Sequence, residues 1–344
     1  MYEKERATAV AAVLRAAQLC EKVRAGFSLA DAHEKDDRSP VTIADFGAQA
    51  VIIEMIESMF PEDEIVGEED AALLQGTAGD ALADAVLGVL TPVLPGIGRA
   101  RLVQLLERGA GTGGRGKRFW TLDPIDGTKG FIRGDQYAIA LALIEDGEVV
   151  VGVLGCPALP VDTAGTGEKT RGVLFDGAKG DAAVLMRSFV DPQHVRPVRA
   201  RGSVSLAEAV FCESVEKAHT AQSRSSRIAE MLGVRATPVR IDSQCKYAVV
   251  ARGDADVYLR LPAQKGYVEK IWDHAAGAFL VQQAGGRVTD MDGVPLDFAQ
   301  GRELTRNRGI VATGGGLQDL VLEAIVREKA EREWVKSGNA ESRE

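Results

Sequence analysis

The sequence is short of three features that would each have indicated a particular class of protein. Its four cysteines lie far apart and form no C-x-x-C pair, which argues against a zinc site and against a disulfide framework. Basic residues are outnumbered, 41 Lys and Arg against 50 Asp and Glu, and the net charge of -9 argues against broad nucleic-acid binding. No stretch approaches the roughly 20 apolar residues of a membrane span. We therefore expect reduced thiols and neither nucleic acid nor membrane as a partner.

The start of the chain does not resemble an export signal. Glu3-Lys4-Glu5-Arg6 is followed by Ala, Val and Leu at helical spacing, which lacks the continuous apolar core of a secretory signal and indicates an amphipathic helix. With 344 residues and 45% hydrophobic content, the chain is long enough for two domains and can bury an ample core. We expect a globular protein located in the cytoplasm.

The first 205 residues combine helices with signals for an antiparallel sheet. Helical periodicity covers about residues 4–28, and Thr42-x-x-Asp45 resembles a capping box that opens a helix to about Met59. Asp146-Gly147 is a strong hairpin signal between two β-rich runs. An Ala-, Leu- and Gly-rich insertion covers 71–118. The strands expected in this part are 64–67, 119–122, 137–145, 148–154, 171–176 and 181–187.

After about residue 206, strands and helices alternate, which is typical of α/β proteins. A helical tail begins near Gln318. The alternating elements are strands at 209–213, 237–241 and 256–261 and helices at 221–232, 244–252 and 273–284. The pattern predicts an α/β protein with an α+β unit over 1–205 and an α/β unit over 206–344.

The most informative segment is Trp120-Thr-Leu-Asp-Pro-Ile-Asp-Gly-Thr-Lys-Gly-Phe131. It sets Asp123 and Asp126 three residues apart at the end of a buried strand, and Gly127 permits a sharp bend into a short helix near Thr128. Two carboxylates held so close favour a cation between them, and free amides at the helix start could face a phosphate. The same pattern is also found in ordinary turns.

Three further acidic segments strengthen the metal interpretation. Asp37, Glu68 and Asp273 each interrupt apolar or tightly turning sequence. Mg²⁺ takes oxygen ligands, and two such ions about 3.5–4 Å apart can clamp the attacking and leaving oxygens of a phosphoryl transfer. Taken singly, Glu68-Glu69 is also typical of a solvated acidic turn, and Asp273 of a helix N-cap. The combination of segments, rather than any one of them, predicts the metal site.

These residues resemble a known group of enzymes. Residues 37–45, 67–69, 123–128 and 272–277 are similar to motifs of the magnesium-dependent, lithium-sensitive phosphatases of the inositol monophosphatase and fructose bisphosphatase superfamily. Within it, the chain most resembles the 3'(2'),5'-bisphosphate nucleotidase family, through 113–120, 128–131, 242–247 and 256–262. These segments span roughly residues 4–315. The resemblance implies a sandwich of alternating helix and sheet layers, with the metal site in 1–205 and 206–344 completing the metal and nucleotide site.

The resemblance also implies a set of metal ligands. Glu68, Asp123 and the backbone carbonyl of Ile125 would hold one Mg²⁺. Asp123 would bridge to a second Mg²⁺, which Asp126 and Asp273 would complete. A third, weaker ion would lie near Glu68 and Asp37, so that two or three ions are expected.

The implied catalytic pair is Asp37 and Thr128, which would orient the attacking water and help to deprotonate it. This agrees with the chemistry of the residues, because a metal lowers the pKa of bound water and a carboxylate–hydroxyl pair can carry its proton away. Amides of Gly127 and Thr128 would receive the phosphate. Lys129 and Arg133 either attract anions to the site or balance its acidic cluster.

The implied substrate pocket contains Asp242 and Ser243 near the nucleoside and Lys246 and Arg260 near the phosphate that is not cleaved. His219 would lie beside the base or sugar. A bisphosphate needs countercharge away from the metals, which supports the two cations most. The strand pattern around Arg260 equally suits a surface position, and His219 is more typical of a solvated loop histidine.

The resulting hypothesis is a Mg²⁺-dependent phosphohydrolase. It would remove the 3'-phosphate of adenosine 3',5'-bisphosphate (PAP) by direct attack of water, giving AMP and phosphate, with activity on the sulfated analogue PAPS and inhibition by lithium. Inositol phosphatase and fructose-1,6-bisphosphatase activities are alternatives, since their metal sites would look the same in sequence. A noncatalytic protein that binds anionic nucleotides or sugar phosphates is another. Only a small-molecule partner is expected, and a monomer is favoured.

Overall fold

Two β-sheets alternate with three layers of helices in the computed structural model. It describes residues 1–26, 43–74, 76–162, 170–202, 204–215, 222–262 and 266–341. The order of the layers is helix, sheet, helix, sheet, helix. The predicted α/β class and layered sandwich are therefore confirmed. Among the described residues, no helix combines the length and apolar character needed to span a bilayer.

The α-helices of the described residues are α1 (Glu3–Gly26), α2 (Ile43–Met59), α3 (Gly76–Leu90), α4 (Arg99–Arg108), α5 (Thr128–Arg133), α6 (Gln222–Met231), α7 (Cys245–Arg252), α8 (Ala275–Gln283) and α9 (Gln318–Glu341). The strands are β1 (Glu64–Gly67), β2 (Arg118–Asp126), β3 (Ala138–Glu145), β4 (Glu148–Pro160), β5 (Arg171–Ala178), β6 (Val184–Ser188), β7 (Val195–Val198), β8 (Phe211–Glu213), β9 (Val239–Arg240), β10 (Val257–Arg260), β11 (Arg287–Thr289) and β12 (Ile310–Thr313).

The first sheet contains β1 to β7 in chain order. β1 and β2 are parallel, and every later pair in this sheet is antiparallel. The predicted hairpin joins β3 to β4, with Asp146 and Gly147 at φ 49° and 83°. Both residues of a tight two-residue hairpin turn need positive φ, which an Asp-Gly pair adopts readily.

α1 and α2 cover one face of this sheet. α1 buries small side chains at helical spacing, among them Ala9, Ala12 and Ala16, so that α2 can pack closely against it. α2 is apolar over most of its circumference, and Phe46 and Ile53 are fully buried. A helix that is hydrophobic on most sides is stable only when it is covered, which places α2 between α1, the sheet and the helices α3 and α4.

α7 and α8 form the middle layer and contact both sheets. They approach each other closely at Gly277, where a Cβ atom would lie only 2.3 Å from the Tyr247 ring. The second sheet has the order β11-β12-β10-β8-β9, and α6 and α9 cover its far side. Because residues of both sheets share one core with this layer, the division into units 1–205 and 206–344 stays a proposal.

The structure contains elements that the sequence pattern did not predict. The insertion over 71–118 includes α3 and α4, and the short strands β7, β11 and β12 were not expected. β12 is four fully buried apolar or small residues, for which periodicity does not separate a strand from a helix. β12 is also antiparallel to its neighbours, so the second sheet is mixed. The predicted capping box at Thr42 lies outside the described residues.

Candidate active site

The parallel pairing of β1 and β2 brings the first two acidic residues together. Gly67 lies opposite Leu122, so Glu68 follows β1 at the same edge where Asp123 lies in β2. The two carboxyl groups are within hydrogen-bonding reach of each other. Two segments about 55 residues apart in sequence therefore contribute neighbouring carboxyl groups, as parallel strands that end at one edge allow.

Asp126 reaches the same cleft because β2 is irregular at its end. The register of β2 against β3 shifts between Asp123 and Asp126. Asp126 Oδ2 accepts a 2.5 Å hydrogen bond from the Gln244 amide. Gly127 then turns with φ 91°, and a Cβ atom there would lie 2.9 Å from the Ser243 side chain. The glycine is required by both its positive φ and this close approach.

Thr128 begins α5 with its hydroxyl facing back to β2. Thr128 Oγ1 donates to the Ile125 carbonyl at 3.3 Å. A carbonyl oxygen has two lone pairs, so Ile125 can still offer one of them to a cation. Thr128 and Ile125, which were each predicted as site residues, therefore lie together in the cleft with the acidic residues.

Asp273 completes the acidic group from the other side of the cleft. α8 begins at Ala275, and His274 occupies its N-cap position. Asp273 lies one residue before that position, so the interpretation of Asp273 as an N-cap is wrong. Its carboxylate lines the same cleft as Asp123 and Asp126. Arg260 Nη2 lies 3.4 Å from Asp273 Oδ2. The backbone rather than local capping thus directs this carboxylate into the cleft.

The electrostatics of this group favour a cation. Burial raises the pKa of Asp123 well above its ordinary value, and the nearby charges of Glu68, Asp126 and Asp273 raise it further. Glu68 is an exposed residue, yet its carboxyl group loses solvation among the neighbouring acidic groups, and this loss and repulsion by Asp273 raise its pKa to about 8. Burial also raises the pKa of Asp273 to about 6, against the opposing charge of Arg260. In their charged forms these carboxylates repel one another.

The residues present fit a hard divalent ion such as Mg²⁺. Asp123 Oδ1 is buried and has no hydrogen-bond partner among the described residues. A buried oxygen without a hydrogen-bond partner is rare unless a water or an ion satisfies it. The carboxylates and the Ile125 carbonyl in this part of the cleft all offer oxygen atoms, the ligand type that Mg²⁺ takes.

The cleft extends from the acidic group toward basic and aromatic side chains and has a volume of about 450 Å³. Lys246 lies in it with only 6% of the residue exposed, its Nζ 3.5 Å from the Ile241 carbonyl and above the Tyr258 ring. Burial lowers the pKa of Lys246. No carboxylate of the described residues forms an ion pair with it, so its charge is available to a ligand.

Arg260, by contrast, already has acidic partners. Its Nε lies 2.8 Å from Glu269 and its Nη2 is 3.4 Å from Asp273. Glu269 also contacts His274 Nε2 at 3.1 Å, and His274 Nδ1 lies 2.8 Å from the Tyr247 hydroxyl. Arg260 lines the cleft with 23% of its side chain exposed.

Asp242 and Ser243 also line the cleft, in a tightly held turn. Asp242 accepts hydrogen bonds from Ser214 Oγ and Val215 N, both at 3.0 Å, and from Arg133 at 2.7 Å. Arg133 therefore balances this acidic residue. Ser243 has φ 65°, a conformation that is uncommon for a residue other than glycine. Strain of this kind is frequent at ligand sites.

Two predicted residues, Asp37 and His219, lie outside the described residues. Three other side chains, which were not predicted, form hydrogen bonds with the backbone beside the acidic residues. Gln49 of α2 makes two hydrogen bonds to the Glu69 backbone, at 2.8 and 3.0 Å. Gln244 donates its side-chain amide to the Trp272 carbonyl at 2.9 Å, and Arg302 donates to the Gly67 carbonyl at 2.7 Å. All three side chains form these hydrogen bonds with backbone atoms. Since every residue type has those atoms, the sequence contains no pattern that identifies the partners.

Known proteins are similar to this chain over most of its length. The model of the inositol monophosphatase family matches residues 1–330. A 3'(2'),5'-bisphosphate nucleotidase of Emericella nidulans is 44% identical over 351 residues, covering 94% of this chain and 98% of that protein. Proteins with the same description from Schizosaccharomyces pombe and Oryza sativa are 42% and 40% identical, each over 94% of this chain and covering 95% and 94% of their own lengths.

Solved structures show the same fold. An IMPase from Thermotoga maritima superposes with a TM-score of 0.64 at 21% identity, covering 96% of this chain and 99% of that one. Inositol monophosphatase from Anabaena (Nostoc) sp. PCC 7120 gives 0.60, also at 21% identity, covering 94% and 96%. Since the family model and the relatives both cover nearly the whole length, the chain belongs to the inositol monophosphatase family.

Proposed function

We propose that the protein is a magnesium-dependent 3'(2'),5'-bisphosphate nucleotidase that hydrolyses the 3'-phosphate of PAP to give AMP and phosphate. One observation carries the proposal: carboxylates from three separate segments line one cleft, beside a buried lysine that has no carboxylate partner among the described residues. The names of the relatives support the same substrate class.

The chain belongs to a metal-dependent family, and its acidic group offers the ligands. Glu68, Asp123 and the Ile125 carbonyl would hold one Mg²⁺, and Asp123, Asp126 and Asp273 a second. When bound, such ions offset phosphate charge and lower the pKa of a coordinated water. The orphan Asp123 oxygen and the raised pKa of Asp123 support this ligand set.

Thr128 would position the attacking water. Its hydroxyl proton is held by the Ile125 carbonyl, which leaves the Thr128 oxygen free to accept a hydrogen bond from water. Asp37 is proposed as the carboxylate that takes the proton of that water, and as part of a third, weaker ion site near Glu68. The amides of Gly127 and Thr128 precede the first hydrogen bond within α5 and are proposed to contact the cleaved phosphate.

The other end of the cleft would bind the rest of the nucleotide. Lys246 is proposed to meet the phosphate that is not cleaved, because its charge has no acidic partner among the described residues. Arg260 would share its charge between this phosphate, Glu269 and Asp273. Ser243, held in its unusual backbone conformation, is proposed to contact the nucleoside together with Asp242.

Further details stay predictions. His219 is proposed to lie beside the base or sugar. PAPS, which carries a further anionic group at the same end as the uncleaved phosphate, is proposed as a second substrate. Lithium inhibition is proposed from the family resemblance. A monomeric state and a cytoplasmic location are proposed from the sequence. A lithium titration of the purified enzyme tests the first of these.

A substrate panel tests the proposal. Phosphate release would be measured with PAP, PAPS, inositol monophosphate and fructose 1,6-bisphosphate, each with Mg²⁺ and with EDTA. We expect the highest kcat/KM for PAP and no release in EDTA. If inositol monophosphate is hydrolysed as fast as PAP, the proposed specificity is wrong. If no substrate releases phosphate while PAP still binds, the protein is a noncatalytic binder.

A further inference from the structure

Arg302 contacts both loops that deliver acidic residues to the cleft from opposite sides. Its Nη2 donates to the Gly67 carbonyl at 2.7 Å, one residue before Glu68. Its guanidinium carbon lies 4.7 Å from the centre of the Trp272 ring, one residue before Asp273. Its Nη1 donates to the Gly111 carbonyl at 2.9 Å. One side chain therefore joins three segments that are distant in sequence.

The backbone of Arg302 is also attached to the Asp273 loop. Its carbonyl accepts from the Ile271 amide at 3.1 Å, and the neighbouring Leu304 amide donates to the Glu269 carbonyl at 2.8 Å. Lys270 and Glu303 form an isolated bridge and an ion pair between the same two stretches. Arg302 thus belongs to the Asp273 side of the cleft, and its side chain crosses to the Glu68 side.

We propose that Arg302 is a positioning residue that fixes the spacing between Glu68 and Asp273 and thereby sets the affinity for Mg²⁺. The inference rests on the proposed function, in which these two carboxylates are metal ligands. Arg302 itself lies behind the ligands and does not line the cleft. Groups that orient metal ligands commonly affect metal affinity by about 10–100-fold.

The chemistry of the contact requires arginine. A planar guanidinium can donate to two carbonyls that point at it from separate segments, and it can stack on an indole at the same time. A lysine would keep the charge near Trp272 but lacks the planar fork whose two terminal nitrogens donate to the Gly67 and Gly111 carbonyls. Glutamine would lose the charge and one of the two donor groups.

Variants of Arg302 test the inference by direct metal binding. Mg²⁺ affinity would be measured by calorimetry without substrate, and the half-saturating Mg²⁺ concentration by activity on PAP. For Arg302→Gln we expect both to weaken by about tenfold, while kcat at saturating Mg²⁺ stays within about threefold of the parent. The Mg²⁺ affinity of Arg302→Lys should lie between those of the parent and of Arg302→Gln. Arg306→Gln, four residues away with an exposed side chain paired to Asp297, is the matched control and should not differ from the parent.

The outcomes separate the inference from the proposed function. If Arg302→Gln melts at a lower temperature but binds Mg²⁺ as the parent does, Arg302 is only structural and the inference is overturned. If Arg302→Gln does not fold, the melting temperature and Mg²⁺ affinity of Arg302→Lys are compared with those of the parent in the same way, and unchanged affinity overturns the inference. If the parent protein itself neither binds Mg²⁺ nor releases phosphate from PAP, the proposed function fails first, whatever the variants do.

Discussion

The two sides of the cleft differ in how their charges are compensated. On the metal side, which consists of Glu68, Asp123, Asp126 and Asp273, burial and mutual repulsion raise the pKa of three of the four carboxyl groups. Arg260 contacts only the edge of this group, at Asp273. The fold thus keeps the carboxylates of the metal side close together although their negative charges repel one another.

On the nucleotide side, which we define as Asp242, Lys246, Arg260 and Glu269, each carboxylate has a basic partner. Asp242 pairs with Arg133, and Glu269 with Arg260. Burial alone would raise the pKa of Glu269, but the hydrogen bond from His274 and the charge of Arg260 lower it to about 2. Among the described residues, the charges of this side are balanced without a ligand, apart from that of Lys246, which has no carboxylate partner there.

The difference shows which part of the site depends on an added cation. A group of like charges is stabilised by a bound divalent ion, whereas a set of matched pairs gains little from one. Removing metal should therefore disturb the metal side and leave the nucleotide side ordered.

Asp126→Asn should remove nearly all Mg²⁺-dependent turnover, by at least about a hundredfold, because even outer partners of metal ligands can cost that much. The amide keeps the size of the side chain and one oxygen, so the fold should be retained. Phosphate release and thermal unfolding would be measured together. Asp319→Asn, with 77% of the side chain exposed on α9, is the control. Unchanged turnover in Asp126→Asn would remove Asp126 from the ligand set.

Lys246→Met should raise the KM for PAP by about 10–100-fold, since a hydrogen bond to a charged group contributes about 1.5–3 kcal/mol. Turnover of inositol monophosphate, which has no second phosphate, should change far less. Methionine suits the buried position because it preserves volume without a charge. Lys179→Gln, whose lysine pairs with Glu148 at an exposed position, should behave as the parent. An equal loss on both substrates would show that Lys246 does not bind the second phosphate.

Without metal, the protein should become less stable as pH rises from about 5 to about 8.5. Glu68 and Asp273 have raised pKa values of about 8 and about 6, so their protonated forms are favoured in the fold. A raised carboxyl pKa contributes stability below the unfolded value, and that contribution is lost as pH passes the folded value. Glu269, with its pKa near 2, titrates outside this window.

Thermal unfolding in EDTA across this pH range gives the measurement. We expect the melting temperature to fall by a few degrees, and saturating Mg²⁺ to abolish the decline, because the bound ion favours the charged carboxylates. Affinity for Mg²⁺ should rise over the same range, since protons compete for the same oxygens. A melting temperature in EDTA that is flat or rises with pH would contradict the contrast between the two sides.

Much of this site could be predicted from residues that have a recognisable local sequence pattern. The Asp-Gly hairpin, the turn at Gly127 and the acidic segments at Glu68, Asp123 and Asp273 each have a sequence signal, and the structure brings the described members into one cleft. Their convergence was predicted because a pair of divalent ions needs carboxylates from separate segments, and the family resemblance supplied the role of each ligand.

The supporting residues could not be predicted in the same way. Gln49, Gln244 and Arg302 donate to or accept from backbone atoms, and any residue type can supply a carbonyl as their partner. Short buried strands such as β12 were not predicted for a related reason, since a run of four residues, three apolar and one Thr, fits a strand or a helix equally well. Long-range packing selects the outcome in both cases.

Carboxylates from three segments are expected to hold the metal ions jointly. A crystal structure of the protein grown with Mn²⁺, whose anomalous scattering identifies the ion, would test this expectation. We predict at least one ion bound by both Asp123 and Asp273, with Asp126 in its coordination sphere. An ion-free cleft at saturating Mn²⁺, or an ion that contacts Asp123 while Asp273 keeps only its pairing with Arg260, would contradict the account.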